Sequence, residues 1–342
     1  MGQIVKLEKT QKDFHYFVNQ LKVEFHEDLS SINSLILDRL DSNVQLIREI
    51  ASYLMLSGGK RIRPLLTTCC YYMCLPKSES EKKFIGLAAA VEFIHAATLL
   101  HDDVVDESKS RRGKLTANEI WENKTSVLVG DFLFSRAFQL MTKYGNSSIL
   151  KLLSDTSVTI SEGEILEIKN DKDLTINEDI YFDVINGKTA ALFAAACKVG
   201  GMSAKTSKEK TESLSSFGLN FGMSFQLVDD AIDYSSSSKT LGKNIGDDFK
   251  EGKITLPIIL AYLRSNVEEK NFWKKSFHQH NQNKDDFNKA LEIIEKYNCI
   301  EDTIKRAKHF ANIAKDSLGI FENDKNKDML INLVESGLSR LN

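Results

Sequence analysis

Proline is nearly missing from this sequence, with three among 342 residues, so long helices meet few obligatory breaks. The five cysteines, Cys69, Cys70, Cys74, Cys197 and Cys299, are odd in number and show no paired CxxC spacing. That argues against a disulfide framework and for buried free thiols in a reducing compartment. There is no excess of positive charge: the formal net charge is −3, so no nucleic-acid partner is expected and any anion site must be local. The first residues, MGQIVKLEKTQKDF, lack the continuous apolar stretch of a signal peptide, and Lys6 breaks the myristoylation pattern. Apolar runs such as Thr189 to Cys197 fall short of the roughly 20 residues a bilayer requires, and a cytoplasmic protein is the expectation. Neither a βαβ rhythm nor a glycine-rich phosphate loop after a strand is found.

What is present reads as helix. Hydrophobic residues make up 42 % and charged residues 27 %, ordinary for a globular chain. From Phe14 to about Leu56 apolar residues recur at three- and four-residue intervals, as an amphipathic helix requires. IGLAAAVEFIHAATLL and KTAALFAAACKVGG combine high helix propensity with small residues suited to close helix packing. Ser57-Gly58-Gly59, Gly145-Asn146-Ser147, Gly200-Gly201 and the serine tract 235–238 read as loops or helix stops. The polar stretch from about Asn266 to Asn288 reads as an exposed connection, with His278 and His280 in solvent. None of these looks like an interdomain linker, so the expectation is one all-α domain over 1–342.

Two segments repeat an uncommon pattern. LLHDDVVDES carries Asp102, Asp103 and Asp106, and QLVDDAIDYS carries Asp229, Asp230 and Asp233; each is a DDxxD. On a helix, three such positions fall within an arc of about 100°, and like charges so spaced cost a few tenths of a kcal/mol per pair. Oxygen-only ligation suits a hard cation, and Mg²⁺ is typically held by one or two carboxylates together with substrate phosphates and water. Two such clusters facing each other make a metal-and-diphosphate clamp. A solvated acidic face is the plainer explanation, but the apolar neighbours Ala96, Ala97, Leu99, Leu100, Phe225, Leu227 and Val228 argue against it. Cations for a diphosphate are also clustered: Lys60, Arg61 and Arg63 in SGGKRIRP, Arg111 and Arg112 in RRG, Lys188 in NGKTA, Lys243 in GKNIGDD and Lys253 in EGKITLP.

In this order, GGKRIRP, LLHDDVVDES, RRG, GKT, FQLVDD and GKNIGDDFKEGKITLP resemble the trans-isoprenyl diphosphate synthase family, specifically its long-chain polyprenyl members. The resemblance spans roughly 54–260. It implies an all-α isoprenoid synthase fold with helices around a deep cavity and the two acidic clusters across its mouth. By matching positions it implies that Lys60, Arg63, His95 and Arg112 bind isopentenyl diphosphate, and that Arg111, Lys188, Lys243 and Lys253 contact the allylic diphosphate, farnesyl or geranylgeranyl. Asp102, Asp103, Asp106, Asp229 and Asp233 are the implied ligands of Mg²⁺, three ions with diphosphate bound, with Asp230 at one remove. Thr189 and Gln226 are implied to face the reacting end of the allylic chain. Around Glu164 and Glu167 the sequence departs from the family pattern, and Glu167 is a candidate to assist the metal shell.

The implied reaction is ionisation of the allylic diphosphate, attack by the alkene of isopentenyl diphosphate, and removal of a proton by released pyrophosphate. Short-chain members place bulky aromatics just before the first cluster; here those positions are Ala97 and Thr98, which implies growth to about octaprenyl or decaprenyl length, with Phe132, Phe138 or Met141 closing the floor. Such a product would serve as a quinone side-chain precursor, and its apolarity calls for release at a membrane surface. A homodimer is also implied. The alternatives are a shorter-chain synthase, a non-catalytic partner subunit, and a terpene cyclase, which generally lacks RRG, GGKRIRP and the second DDxxD.

Overall fold

The computed structural model describes residues 13–75, 82–235, 246–278 and 284–341. In chain order come α1 (Phe14–Glu24), α2 (His26–Arg39), α3 (Gln45–Leu56), α4 (Ile62–Cys74) and α5 (Phe84–Val105). A small hairpin, β1 (Ser110–Arg111) and β2 (Lys114–Leu115), leads into α6 (Ala117–Tyr144) and α7 (Ser147–Lys169). After α8 (Glu178–Ile185) a π-helical turn over Asn186–Ala190 runs into α9 (Ala191–Ser203), then α10 (Lys208–Asp233) and α11 (Asp247–Glu251). The chain ends with α12 (Leu256–Arg264), α13 (Val267–His278), α14 (Lys284–Lys296), α15 (Cys299–Ser317) and α16 (Lys325–Leu338). This is the expected all-α architecture.

α5 and α10 are the central helices. α5 is apolar around almost its whole circumference, burying residues from Phe84 to Leu100 against α6, α9, α4 and α2. A helix hydrophobic on all sides must be enclosed. By length and composition α5 is also able to cross a membrane, which the search for apolar runs missed, but 72 % of its most apolar window is covered by protein. It is a core helix. α10 packs on α9 and α15, and its partners on the far side bring in α8 and α12.

Several expectations about helix ends need correction. The periodic stretch from Phe14 to Leu56 is three helices: Phe25 separates α1 from α2, and Asp41, Ser42 and Asn43 separate α2 from α3, where the Ser42 hydroxyl accepts from the Val44 N–H at 3.2 Å. Gly200 and Gly201 do not stop a helix; they lie inside α9. A Cβ at Gly200 would stand 2.5 Å from the Thr67 carbonyl, so glycine here permits close approach of α4. The polar stretch near 266–288 is mostly α13 and α14, whose Trp273, Phe277 and Ala290 are fully buried. Charged residues on the outer faces had masked that apolar stripe. His280 and serines 236–238 lie outside the described residues. Cys69, Cys70, Cys197 and Cys299 are buried free thiols, and Cys74 is half-buried.

Candidate active site

Both acidic triplets sit at the same kind of place: the C-terminal end of a long buried helix. Asp102 and Asp103 occupy the last turn of α5 and Asp106 is its C-cap, while Asp229, Asp230 and Asp233 fill the last turn of α10. The helix macrodipole is negative there, so each carboxylate is disfavoured by about 0.3–1 kcal/mol where a cation would be favoured. Local sequence therefore places six negative charges where the backbone opposes them.

The two helix ends open on one cavity of about 730 Å³, lined by Asp106 from the first triplet and Asp230 from the second, together with Glu167, Lys188, Thr189, Gln226 and Lys253. Lys253 lines it as well, with its Nζ 2.9 Å from Asp106 Oδ2 and 2.9 Å from Glu251 Oε2. One carboxylate of each triplet, Asp106 and Asp230, therefore borders the shared space.

Within each triplet the side chains diverge, although the sequence placed all three on one face. Asp102 stands beside Glu164 and Lys188, and burial, then Glu164, push its pKa up to about 7. Asp103 turns away: almost fully buried, it accepts from Arg111 Nε at 2.9 Å and Nη2 at 2.8 Å. Its geometry is that of a group holding Arg111. Asp229 Oδ1 lies 2.5 Å from Arg340 Nη2, a residue of the C-terminal turn that also stacks over Phe14 and Phe225. Asp230 accepts from Tyr181 Oη at 2.5 Å and from Gln226 Nε2 at 2.7 Å. Burial pushes its pKa up to about 7 despite those donors. Asp233 accepts from the Asp248 N–H at 3.1 Å, helping to seat α11.

The π-helical turn explains NGKTA. A π-turn widens a helix locally and re-aims its side chains, and here it is allowed by Gly187, whose Cβ would stand 2.8 Å from Gly163 of α7. Lys188 is thereby carried into the cavity, 2.9 Å from Glu164 and 2.6 Å from Glu167. Burial pulls its pKa down, but Glu167 and Glu164 outweigh this and hold it above the ordinary value. Thr189 Oγ1 donates to Gln226 Oε1 at 3.0 Å. Ala97 is fully buried in the core, and the half-buried Thr98 returns its hydroxyl to the His95 carbonyl at 2.9 Å. Phe138 is corrected as a floor residue, since it is 42 % exposed on the outer side of α6, whereas Met141 is buried and Phe132 half-buried.

A second, cationic group gathers beside the first helix end. Arg61 has φ +53°, which turns the chain sharply into α4 and leaves Lys60 and Arg63 on either side of the turn. The Arg63 guanidinium lies 4.2 Å over the Phe193 ring, and burial pulls its pKa down to about 10. Lys60 Nζ lies over the Phe14 ring at 5.2 Å. In the hairpin, Arg112 and Gly113 both take positive φ, as a two-residue type I′ turn demands. The turn splits the arginine pair: Arg111 reaches Asp103, and Arg112 packs on Gly59. His95 is held well below its ordinary pKa by burial, then by Arg63 and Arg112. So many cations around a neutral imidazole, with the Nε of Arg63 lacking a hydrogen-bond partner among the described residues, form a setting for a multiply charged anion.

Lys243 lies outside the described residues. Of the remaining candidates, Asp106, Lys188, Thr189, Gln226 and Lys253 line the cavity with Asp230, Arg63, Arg111 and Arg112 gather around His95, and Ala97 lies in the core. Sequence reasoning missed Tyr181, Asp248 and Arg340, and left Glu164 unassigned. Asp248 had a signal in GDD and Glu164 in the i, i+3 pair of GEILE; Tyr181 and Arg340 had none.

The family question is decided by comparison. A polyprenyl synthetase family model matches residues 44–294, and the octaprenyl diphosphate synthase of Escherichia coli K12 is 38 % identical over 323 residues, 94 % of this chain and 98 % of that protein. The chain belongs to the polyprenyl synthetase family. Like its relatives it is a prenyltransferase enzyme. Two solved synthetases superpose closely: a decaprenyl diphosphate synthase from Rhodobacter capsulatus, with TM-score 0.90 and 40 % identity, covering 95 % of this chain and 99 % of that one, and a polyprenyl synthase from Caulobacter crescentus, with TM-score 0.89 and 43 % identity, covering 95 % and 98 %. The latter was solved with calcium and isoprenyl diphosphate.

In this synthetase the raised carboxyl groups have a consequence for stability. With Asp102 and Asp230 at about 7 rather than near 3.8, the native state holds protons between about pH 4 and 7 that the unfolded chain gives up. Stability from these groups is therefore lost as pH rises through that window. In chelator, thermal unfolding of wild type relative to Asp102→Asn is expected to worsen from about pH 4 to 7 and to level off above that; a difference that narrows as pH rises through this window would contradict the burial argument.

Proposed function

We propose that this enzyme condenses isopentenyl diphosphate with an allylic diphosphate, farnesyl or geranylgeranyl, to make an all-trans polyprenyl diphosphate of about octaprenyl to decaprenyl length. The observation that carries the reading is the pair of acidic helix ends sharing one cavity, with a cationic group beside the first of them. Arg111, Lys188 and Lys253 take the allylic diphosphate, with Lys243 beside them; Lys60, Arg63, His95 and Arg112 take isopentenyl diphosphate. Thr189 and Gln226 face the allylic carbon as it becomes positive.

The residues fit a divalent cation, Mg²⁺ in this reading and three ions with diphosphate present. Two carboxyl groups are pushed up to about 7, and the buried Glu164 Oε1 has no hydrogen-bond partner among the described residues. Among those residues no three His, Cys, Asp or Glu form a preformed metal cage, which suits an ion held by one or two carboxylates and substrate phosphates. Asp102, Asp106 and Asp229 are the first candidates to hold it, followed by Asp233, while Asp103 acts through Arg111. When bound, the metal supplies Lewis-acid neutralisation of the departing diphosphate.

The wider reading is a single catalytic domain, cytoplasmic and homodimeric, that serves quinone side-chain synthesis and releases its product at a membrane surface. Support for the dimer is the set of exposed apolar residues Val127, Leu128 and Phe138 on the part of α6 that follows its kink at Trp121 and Glu122.

The test is incubation with farnesyl diphosphate, labelled isopentenyl diphosphate and Mg²⁺, with products resolved by size. Wild type is expected to yield chains of about eight to ten isoprene units; no incorporation would refute the reading. In the same assay Ala97→Phe is expected to shorten the product and, because Ala97 is fully buried, to cost about 1–3 kcal/mol from overpacking. An unchanged product size would remove Ala97 from the growth path.

A further inference from the structure

Four residues from three elements form a continuous polar chain along the cavity wall: Thr189 from the π-turn, Gln226 and Asp230 from α10, and Tyr181 from α8. The Thr189 hydroxyl donates to Gln226 Oε1 at 3.0 Å, Gln226 Nε2 donates to Asp230 Oδ1 at 2.7 Å, and Tyr181 Oη donates to Asp230 Oδ2 at 2.5 Å. Every proton runs toward the carboxylate. Both oxygens of the Asp230 carboxyl accept, one from Tyr181 and one from Gln226, whereas a side-chain amide has one accepting and one donating end. Asp230 therefore fixes which way round the Gln226 amide sits, and the amide in turn consumes the single hydroxyl proton of Thr189. What remains toward the cavity at Thr189 Oγ1 and Gln226 Oε1 is lone pairs.

We infer that Tyr181 and Asp230 are positioning residues, which orient Gln226 and Thr189 so that they present lone pairs to the allylic carbon as positive charge develops on it. The inference rests on the allylic-diphosphate reading and adds to it Tyr181, which no motif contains, a role for Asp230 and a sense of orientation. Pre-oriented dipoles aimed at developing charge need no reorganisation during the reaction, and in a water-poor site they are worth more than in solution. A flipped amide would aim Nε2–H at the cation, and a free hydroxyl proton would do the same. Tyr181 matters because its ring is almost fully buried and its hydroxyl pins the second carboxylate oxygen, so that Asp230 cannot rotate away from Gln226.

The test uses two unreactive allylic diphosphate analogues with the same chain, one bearing an ammonium nitrogen at the carbon that turns positive and one bearing a neutral carbon there. Affinities are measured by calorimetry with Mg²⁺. Wild type is expected to prefer the ammonium analogue. Tyr181→Phe keeps the ring and every charge and removes only the hydroxyl; it is expected to reduce that preference about tenfold while the neutral analogue binds within about twofold of wild type. Asp230→Asn, whose amide both donates and accepts, is expected to reduce it further. In turnover, Tyr181→Phe should lower kcat by a similar factor and leave KM for both substrates in place. If the two variants retain the wild-type preference, or if both analogues weaken equally, the positioning role is overturned while the functional reading stands. If wild type binds neither analogue, the functional reading falls and this inference with it.

Discussion

Replacing Asp102 or Asp229 by alanine is expected to lower turnover about a thousandfold or more while the helical fold persists. Each carboxylate lies in the last turn of a buried helix, where the backbone dipole opposes it. Removing Asp102 relieves repulsion from Glu164 and Asp106, so Asp102→Ala should melt no lower than wild type. Asp229→Ala behaves differently, because it strands Arg340, whose side chain is 10 % exposed. Loss of one partner from a mostly buried pair costs about 3–5 kcal/mol in strong cases, and the Phe14 and Phe225 rings offset part of that. Adding Arg340→Ala to Asp229→Ala should restore melting temperature without restoring activity. Circular dichroism and incorporation of labelled isopentenyl diphosphate check the two halves; near-wild-type synthesis by either single variant would refute the clamp.

Lys188→Ala is the second large effect, and it should reach stability as well as activity. The ammonium stands among Glu164, Glu167, Asp102 and Asp106, so its removal leaves the half-buried Glu164 and Glu167 without their ion-pair partner, while Asp106 keeps Lys253, at a cost of about 3 kcal/mol near neutral pH. The penalty should shrink as pH falls and the carboxylates, Glu164 and Asp102 already raised by burial, take up protons. A divalent cation should stabilise the variant more than wild type, because metal and ammonium neutralise the same charges. Unfolding with and without Mg²⁺ at pH 6 and 8 measures this. Equal metal stabilisation of both proteins would mean that Lys188 and the metal do not share a site.

The fold class was legible because it depends on periodicity: apolar residues at helical spacing, alanine-rich segments and few prolines leave little else to build. The stretch near 266–288 was misread because Trp273 and Phe277 are sparse among charged neighbours, and burial of a face is decided by what packs on it. Gly200 was misread for the same reason, since a glycine that ends a helix and a glycine that admits a neighbouring backbone look alike in one dimension.

By itself the sequence determined the chemistry on offer: two acidic triplets, arginine and lysine clusters, and the helices that carry them. Only the tertiary structure decided how those groups divide the work. It turned Asp103 to Arg111, set Arg340 from the far end of the chain against Asp229, and buried Tyr181 against Asp230. Helical spacing sets the direction in which a side chain leaves the backbone, whereas the partner it meets in this site lies up to 147 residues away along the chain, which only packing brings within hydrogen-bond range.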